Sequence, residues 1–495
     1  MSVVGSEDGT TGADFLQLNA EDAPVGGLSD WLAERLREAI SDGRLPVGSR
    51  LPATRLLASD LRVSRGVVTE AYRRLVEDGH VAGRGRAGTV VVAAPLAVSP
   101  GTDSAAEGAS GPGLAGVFAG EPEMGVFDAL RGIPARIDLS PGLPDLAAFP
   151  RTAWLRAERQ VLTRLAAADF GYGDPAGTPV LRRAVVNWLA RNRGIRADPA
   201  EVIIVAGVAQ AIGLVAKVLR EEGITEVAME DPSSLGIRQH LHNSGMSTPP
   251  VPVDEQGLRV DALRECGARV AMLTPAHQFP TGVVLEGERR RELIGWAGEG
   301  GLVIEDDYDA EHRYDRPPVP ALRSMLAEQV CYAGSSSKWL APALRVGWLM
   351  VPRRMHADVV AAKRHADLGN PVLTQLVLAE LMESGEMERQ LRMVRRRHRR
   401  RRDAMISAIR ANLPGAVVHG AAAGLHLMIS FSDEFSDADL AGAALRLGVK
   451  TQPLSWHSQL PHAPGLVLGY AARTPTEIAE GVATIAEALR ALSPR

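Results

Sequence analysis

Between Pro95 and Ile137 the chain runs PLAVSPGTDSAAEGASGPGLAGVFAGEPEMG, rich in Gly, Ala, Ser and Pro and without a sustained period of 2 or 3.6. A segment of this kind buries too little apolar surface to offset the entropy of ordering it. Residues 95–136 are therefore expected to be a flexible linker. The chain then divides into two separately folded units, residues 1–94 and 137–495. Its total of 495 residues agrees with that division, because one hydrophobic core rarely organises so long a chain. No internal repeat is visible.

Several classes drop out early. No run of eighteen or more uncharged apolar residues is present, and the first residues, MSVVGSEDGTTGADF, lack the basic and apolar regions of a signal peptide. No membrane partner is expected, and a cytoplasmic location is. Two cysteines, Cys266 and Cys331, are too few for a disulfide framework or a cysteine-rich metal site. Both are expected in the core, and no metal site is expected.

The N-terminal unit reads as three helices and a hairpin. In LSDWLAERLREAI, Leu28, Trp31, Leu32, Leu36 and Ile40 share one helical face, with Ser29 as N-cap. A short second helix in PATRLLASDL presents Leu56, Leu57 and Leu61. The third, in VSRGVVTEAYRRLVEDG, has Ser64 as N-cap, a stripe of Val67, Val68, Ala71, Tyr72, Leu75 and Val76, and Gly79 as its stop. HVAGRGRAGTVVV then supplies two short strands around a Gly and Arg turn. Helix, helix, helix and wing form the winged helix-turn-helix pattern. The net charge of the whole chain is -4, yet residues 44–94 carry nine arginines against four acids. A basic module is thus hidden in an acidic chain, and Arg65, just inside the third helix, is placed to meet guanine in a major groove.

RLPATRLLASDLRVSRGVVTEAYRRLVEDG followed by GRGRAGTVVV resembles the DNA-binding domain of GntR-family transcription regulators over residues 28–92. The resemblance implies contacts to double-stranded promoter DNA from Arg55, Ser64, Arg65, Gly66, Arg84 and Gly85. Thr69 stands where some members carry another arginine, so the operator is not implied.

Beyond the linker, EVIIVAG, EVAMED, VAMLTPAHQFPTG, GLVIEDDYD and VCYAGSSSK are short, nearly continuous apolar runs ending in polar residues. Helical stretches such as AQAIGLVAKVLREEG and ERRRELIGWAGEG separate them. That alternation predicts an α/β unit with a mostly parallel sheet and a ligand beyond the strands' carboxyl ends. The chain has only four lysines, Lys217, Lys338, Lys363 and Lys450, and Lys338 lies in GSSSKWLAPALRVGW. A lysine amine can lose its proton and form an imine, which a guanidinium cannot do. If Lys338 holds pyridoxal 5'-phosphate, a carboxylate must face the pyridine nitrogen, and IEDDYD offers Asp306 or Asp307, with Tyr308 near the phenolic oxygen. The turn at Gly207, Val208, Ala209 and Gln210, with Ser335, Ser337 and Arg345, offers a phosphate pocket. His277 or Gln278 in TPAHQFPTG is a further donor to the phenolic oxygen. Singly, each motif is an ordinary surface or loop feature; the ordered set at successive strand ends is not.

This set resembles fold-type I aminotransferases. With the N-terminal unit, the chain resembles the MocR/GabR subfamily of GntR regulators: an α/β fold-type I aminotransferase-like domain with an N-terminal winged helix-turn-helix domain. The resemblance implies Lys338 as the imine-forming lysine, Asp306 on the pyridine nitrogen, Tyr308 on the phenolic oxygen, and Ser335, Ser337 and Arg345 near the phosphate. It also implies a head-to-tail homodimer in which Tyr172, in FGYGDPAG, reaches the partner's cofactor. Two departures stand out. Ser234 occupies a position that is aromatic in relatives, where the ring stacks on the pyridine. Leu466 aligns with the arginine that holds a substrate carboxylate, with Arg473 as a substitute. Both favour sensing of an amine, an amino acid or the cofactor itself over turnover. The alternative is an active aminotransferase with an accessory DNA-binding module, and a third reading is a dimerisation scaffold without cofactor. The run RMVRRRHRRRRDAM adds a secondary expectation, a DNA-contacting strip at Arg396, Arg399 and Arg400.

Overall fold

The computed structural model describes residues 20, 23–24, 27–83, 85, 88–93, 116–309, 311–314 and 319–492. The chain divides into a small N-terminal and a large C-terminal unit.

In the small unit, helices Leu28–Ser41, Thr54–Asp60 and Arg65–Glu77 precede an antiparallel pair, Val81–Gly83 with Thr89–Val91. Leu36, Leu57, Val68 and Leu75 are fully buried in one core, each contributing about 1.5–3 kcal/mol by leaving water. The Tyr72 hydroxyl donates to the Pro52 carbonyl at 2.8 Å, tying the third helix to the segment before the second. Ser64 caps the third helix as expected, its hydroxyl accepting from the Val67 amide at 3.4 Å, and Gly79 takes positive φ just beyond its end. The first helix differs: it begins at Leu28 with Gly27, not Ser29, in the N-cap position. Leu56 and Val76, assigned to apolar stripes, are exposed, because each lies a quarter-turn or more off its helix's buried line.

The large unit is built on an eight-stranded sheet in the order Ile203–Val205, Gly347–Met350, Val330–Ser335, Leu302–Asp307, Val270–Leu273, Ala228–Asp231, Pro250–Asp254, Gly257–Leu258. The five strands from Val330–Ser335 to Pro250–Asp254 are mutually parallel, and Gly347–Met350 and Gly257–Leu258 run against their neighbours. Helices cover both faces, giving two apolar layers, which is why these strands read as unbroken apolar runs. A second, antiparallel sheet of Val417–His419, His426–Ser430, Gly465–Gly469 and Gln452–Pro453 carries its own core with helices Glu386–Asn412, Asp437–Arg446 and Pro475–Leu492.

The expected linker overran at its C-terminal end. Residues 94–115 lie outside the described residues, but Val126–Gly132 is a helix, and Val117, Phe118, Val126 and Leu130 are buried in the second core. Phe118 stacks on Trp456, ring centroids 5.1 Å apart. Four apolar side chains suffice to anchor a segment when a distant surface receives them, and no local period signals that. Cys331 is buried as expected, whereas Cys266, at a helix end, is exposed. Among the described residues no helix is long and apolar enough to cross a membrane, and no group of side chains could hold a metal ion.

Candidate functional site

A cavity of about 370 Å³ opens beyond the carboxyl ends of the parallel strands, where an open α/β sheet places its ligand. The strand ends deliver Glu230, Asp306, Ser335 and the turn at Gly207 to its wall, together with Val208, Ala209, Tyr308, Ser337, Lys338 and Arg345. Residues far apart in the sequence thus meet because parallel strands end on one side.

Lys338 differs from the other three lysines. Lys217, Lys363 and Lys450 are paired with Glu221, Asp367 and Asp138. The Lys338 ammonium instead donates to the Gly142 carbonyl at 2.7 Å. Burial pushes its pKa down, against the opposing pull of Asp309 and Asp306, which eases loss of the proton that imine formation requires. A Cβ on Gly142 would come within 3.0 Å of that nitrogen, at a φ of +79°; glycine leaves the amine room. The segment is held by Trp339, stacked on Trp188 at 5.6 Å between ring centroids, and by the Ser336 hydroxyl, which donates to the Val346 carbonyl at 2.8 Å.

Successive residues of a strand face opposite sides, so Asp306 and Asp307 cannot share the cavity. Asp306 faces it. Asp307 points away, gripped by the buried Arg193 at 2.5 and 3.1 Å and by the Tyr332 hydroxyl at 2.5 Å. The Asp306 Oδ1 has no hydrogen-bond partner although it is buried, an orphan that a pyridinium N–H would satisfy. Burial first, then Asp307 and Asp309, raises its pKa to about 8. Nearby, Glu230 is pushed up to about 7 by burial, against hydrogen bonds from Thr274 and Gln278.

At the opposite end, the Ser335 and Ser337 hydroxyls lie 2.9 Å apart. Arg345 adopts a left-handed backbone, φ 51°. Its guanidinium nitrogens lie 3.5 Å from where a Cβ on Gly207 would stand, at the start of helix Val208–Glu221. Two hydroxyls, a guanidinium and a helix N-terminus describe a phosphate cradle. Amine, orphaned carboxylate and cradle together fit pyridoxal phosphate.

His277 and Gln278 do not line the cavity. The His277 Nδ1 lies 3.0 Å from the Tyr308 hydroxyl and 2.9 Å from Asp309. It stands behind Tyr308. Gln278 is spent behind the wall, donating to the Pro232 and Phe279 carbonyls at 2.7 Å and accepting from Thr281. Tyr172 is 96% exposed, outside its own chain's cavity. Ser234 does line it. Leu466 does not: it is buried in the second core, and the opposite face of its strand belongs to Val467, which packs on Met428, Leu454 and Phe279. Arg473 is also elsewhere, on the Asp138 carbonyl and Glu477. Residues the sequence reading missed include Gly142, Glu230, Phe279, Gln452, His426 and His457. Glu230 and Gly142, in MED and SPG, carried a strand-end or turn signal. Phe279 lay unremarked inside TPAHQFPTG, and Gln452, His426 and His457, from the second sheet and the turn beside it, carried no signal.

In the small unit, Arg55, Ser64, Arg65 and Gly66 are all exposed around the start of the third helix, and Gly85 is exposed in the wing with φ 56°. Arg65 Nε reaches Thr54 Oγ1 at 3.4 Å. Arg84 lies outside the described residues. Helix Glu386–Asn412 divides its arginines by face. Arg395, Arg401 and Arg402 turn inward to the Glu311, Ala471 and Ala421 carbonyls, whereas Arg392, Arg396, Arg399 and Arg400 are exposed.

Comparison with known proteins agrees with this division. Residues 28–91 match the family of bacterial regulatory proteins, gntR family, and residues 135–461 match aminotransferase class I and II. The probable rhizopine catabolism regulatory protein MocR of Rhizobium meliloti is 31% identical over 93% of both chains. The pyridoxine biosynthesis regulator PdxR of Corynebacterium glutamicum is 29% identical over 80% of this chain and 82% of its own. Among solved structures, the α-aminoadipate aminotransferase LysN of Thermus thermophilus, complexed with N-(5'-phosphopyridoxyl)-L-leucine, superposes with a TM-score of 0.67. It is 30% identical and covers 77% of this chain and 97% of its own. With a GntR winged helix joined to a class I and II aminotransferase fold, the chain belongs to the MocR/GabR subfamily of DNA-binding transcription regulators.

Proposed function

We propose that the large unit binds pyridoxal phosphate at Lys338 and passes the state of that site, set by an amine, an amino acid or the cofactor itself, to the winged helix. The observation that carries this reading is the buried, unpartnered Asp306 Oδ1 sharing a cavity with a desolvated lysine amine. When bound, pyridoxal phosphate supplies an aldehyde carbon for amine exchange and a ring that withdraws electrons. Lys338 provides the exchangeable amine, Asp306 holds the proton at the ring nitrogen, Tyr308 faces the phenolic oxygen with His277 behind it, and Ser335, Ser337 and Arg345 take the phosphate. Regulation requires that the ligand favour one arrangement of the chain over another; equal affinity for both shifts nothing.

The homodimer belongs to the same reading. Phe170, Tyr172, Leu368 and Leu373 are exposed, and the segments that carry them meet where Gly173 abuts Val372, apolar surface that a second copy would cover. Tyr172 there is free to reach the partner's cavity. A regulator acting on promoter DNA works in the cytoplasm.

The test pairs two readouts on the full chain. With pyridoxal phosphate the protein is expected to show the visible absorption of lysine-bound cofactor, and Lys338→Ala to lose it. A small amine that alters that absorption is expected also to change affinity for promoter DNA. Cofactor binding without any change in DNA affinity, across amines, amino acids and the cofactor alone, overturns the sensing role. Sustained keto-acid production would instead favour the active aminotransferase.

The exposed arginine face gives a separate expectation. Changing Arg396, Arg399 and Arg400 to glutamine should reduce the salt slope of DNA binding by about one for each phosphate that these side chains neutralise. An unchanged slope, measured by titration at several salt concentrations, would leave these arginines as a solvated helix face.

A further inference from the structure

The cavity's cations are already committed. Among the described residues lining it, positive side chains are Lys338, Arg345 and Arg131. Lys338 is the exchangeable amine, and Arg345 lies over Gly207 at the phosphate end. Arg131, on the helix Val126–Gly132, has a side chain 68% exposed and is paired with Asp128. Arg238, half-buried against His457, donates to the Trp456 carbonyl and does not line the cavity, so no buried guanidinium lines the space that a ligand's substituents would fill.

What fills that wall is neutral. Phe279 stands edge-on to His457, centroids 5.1 Å apart, and tilted against His426 at 4.9 Å. The His457 Nδ1 accepts from the Leu235 amide at 3.4 Å, so its proton is on Nε2, facing Gln452 Oε1 at 3.1 Å. That ring is a neutral imidazole by geometry, and burial holds its pKa down near 3. The His426 Nε2 faces the Pro280 carbonyl at 3.3 Å and must donate to it, which leaves Nδ1 an acceptor in a ring that burial likewise keeps neutral. The two acids of the wall, Glu230 and Asp306, add negative potential when ionised. A ligand carboxylate in this space would be desolvated without a buried cation and set against lone pairs, an arrangement proteins avoid. An uncharged substituent meets an aromatic edge, Ile237 and Leu425, at no such cost.

We infer that the ligand read by this cavity is a primary amine without a carboxylate on its amine-bearing carbon, with Phe279, His426 and His457 as the residues that set this preference. The inference rests on the proposed cofactor site and narrows it from amines or amino acids in general to one class.

The test uses full-length protein loaded with pyridoxal phosphate and freed of excess cofactor. It is titrated with amine and amino-acid pairs that differ only in the carboxylate: tyramine and tyrosine, cadaverine and lysine, isopentylamine and leucine. The expected result is that, in each pair that responds, the amine alters the visible absorption at a concentration lower by roughly tenfold or more. An amino acid that matches or outperforms its amine overturns the inference, as does silence from every compound while the cofactor stays bound. A protein that never acquires the absorption brings down the cofactor reading, and this inference with it, so the two failures are distinguishable. Arg131→Gln is expected to leave the ratio within each pair unchanged. A loss confined to the amino acids would assign the carboxylate to Arg131 and also overturn the inference.

Discussion

Replacing Arg193 with methionine is expected to cost the large unit about 3–5 kcal/mol of stability, the usual penalty for removing one member of a buried ion pair. Arg193 and Asp307 have side chains 1% and 2% exposed, so solvent cannot screen the carboxylate left behind. Its remaining partner would be the Tyr332 hydroxyl. The position is worse than for an isolated pair, because Glu305 and Asp306 precede it on the same strand and both are buried. Burial and the neighbouring Asp307 push Glu305 up to about 7. Six of the seven tryptophans lie in the large unit, so tryptophan fluorescence during denaturant unfolding reports mainly on it. The double variant Arg193→Met with Asp307→Leu is expected to regain most of the loss, since neither charge is then stranded. A single variant as stable as the parent would mean that the pair does not hold the strand, and the account of why Asp306 alone faces the cavity would lose its support.

That strand shows what the sequence could and could not reveal. Polar residues closing apolar runs located the cavity, since parallel strands end together on one side, and a lysine in a lysine-poor chain marked its centre. IEDDYD left Asp306 and Asp307 open because period 2 says that they face opposite ways without saying which way is which. Arg193, 114 positions away, decides it. Leu466, aligned with the arginine that holds a substrate carboxylate, is instead buried in the second core, while its neighbour Val467 packs on Phe279. His426 and His457 were unreadable for another reason: they belong to a different sheet and a short 3-10 turn, and only packing brings them to the site. The helix Val126–Gly132 was hidden because its apolar partners, in the second core, come almost entirely from residues far along the chain. Local pattern thus sufficed where function sits at the end of an element. It failed where function depends on which distant surface an element meets.

Changing Asp306 to asparagine is expected to weaken pyridoxal phosphate binding by roughly 10- to 100-fold, the worth of one hydrogen bond to a charged group. The substitution keeps the size of the side chain and Lys338, so imine chemistry remains possible while the ring nitrogen loses its anionic partner. The pH dependence separates this role from a structural one. Without ligand, burial and then Asp307 and Asp309 raise the Asp306 pKa to about 8, so below that pH the carboxyl already carries the proton that the ring nitrogen takes up. Binding then needs no proton from solution. Above about 8 the carboxyl is ionised before binding, a proton must be drawn from the solvent, and the advantage of Asp306 over asparagine should decline by up to about tenfold per pH unit. Because Asp306 also holds the Lys338 pKa up, the titration of the amine is measured in each protein and taken out of the ratio of their dissociation constants. Equilibrium dialysis of cofactor between pH 6 and 10, roughly two units either side of that pKa, measures that ratio. A ratio flat below about 8 and falling above it assigns the ring proton to Asp306; a ratio that ignores pH across the whole range removes Asp306 from that role and leaves Lys338 and the phosphate cradle as the grip on the cofactor.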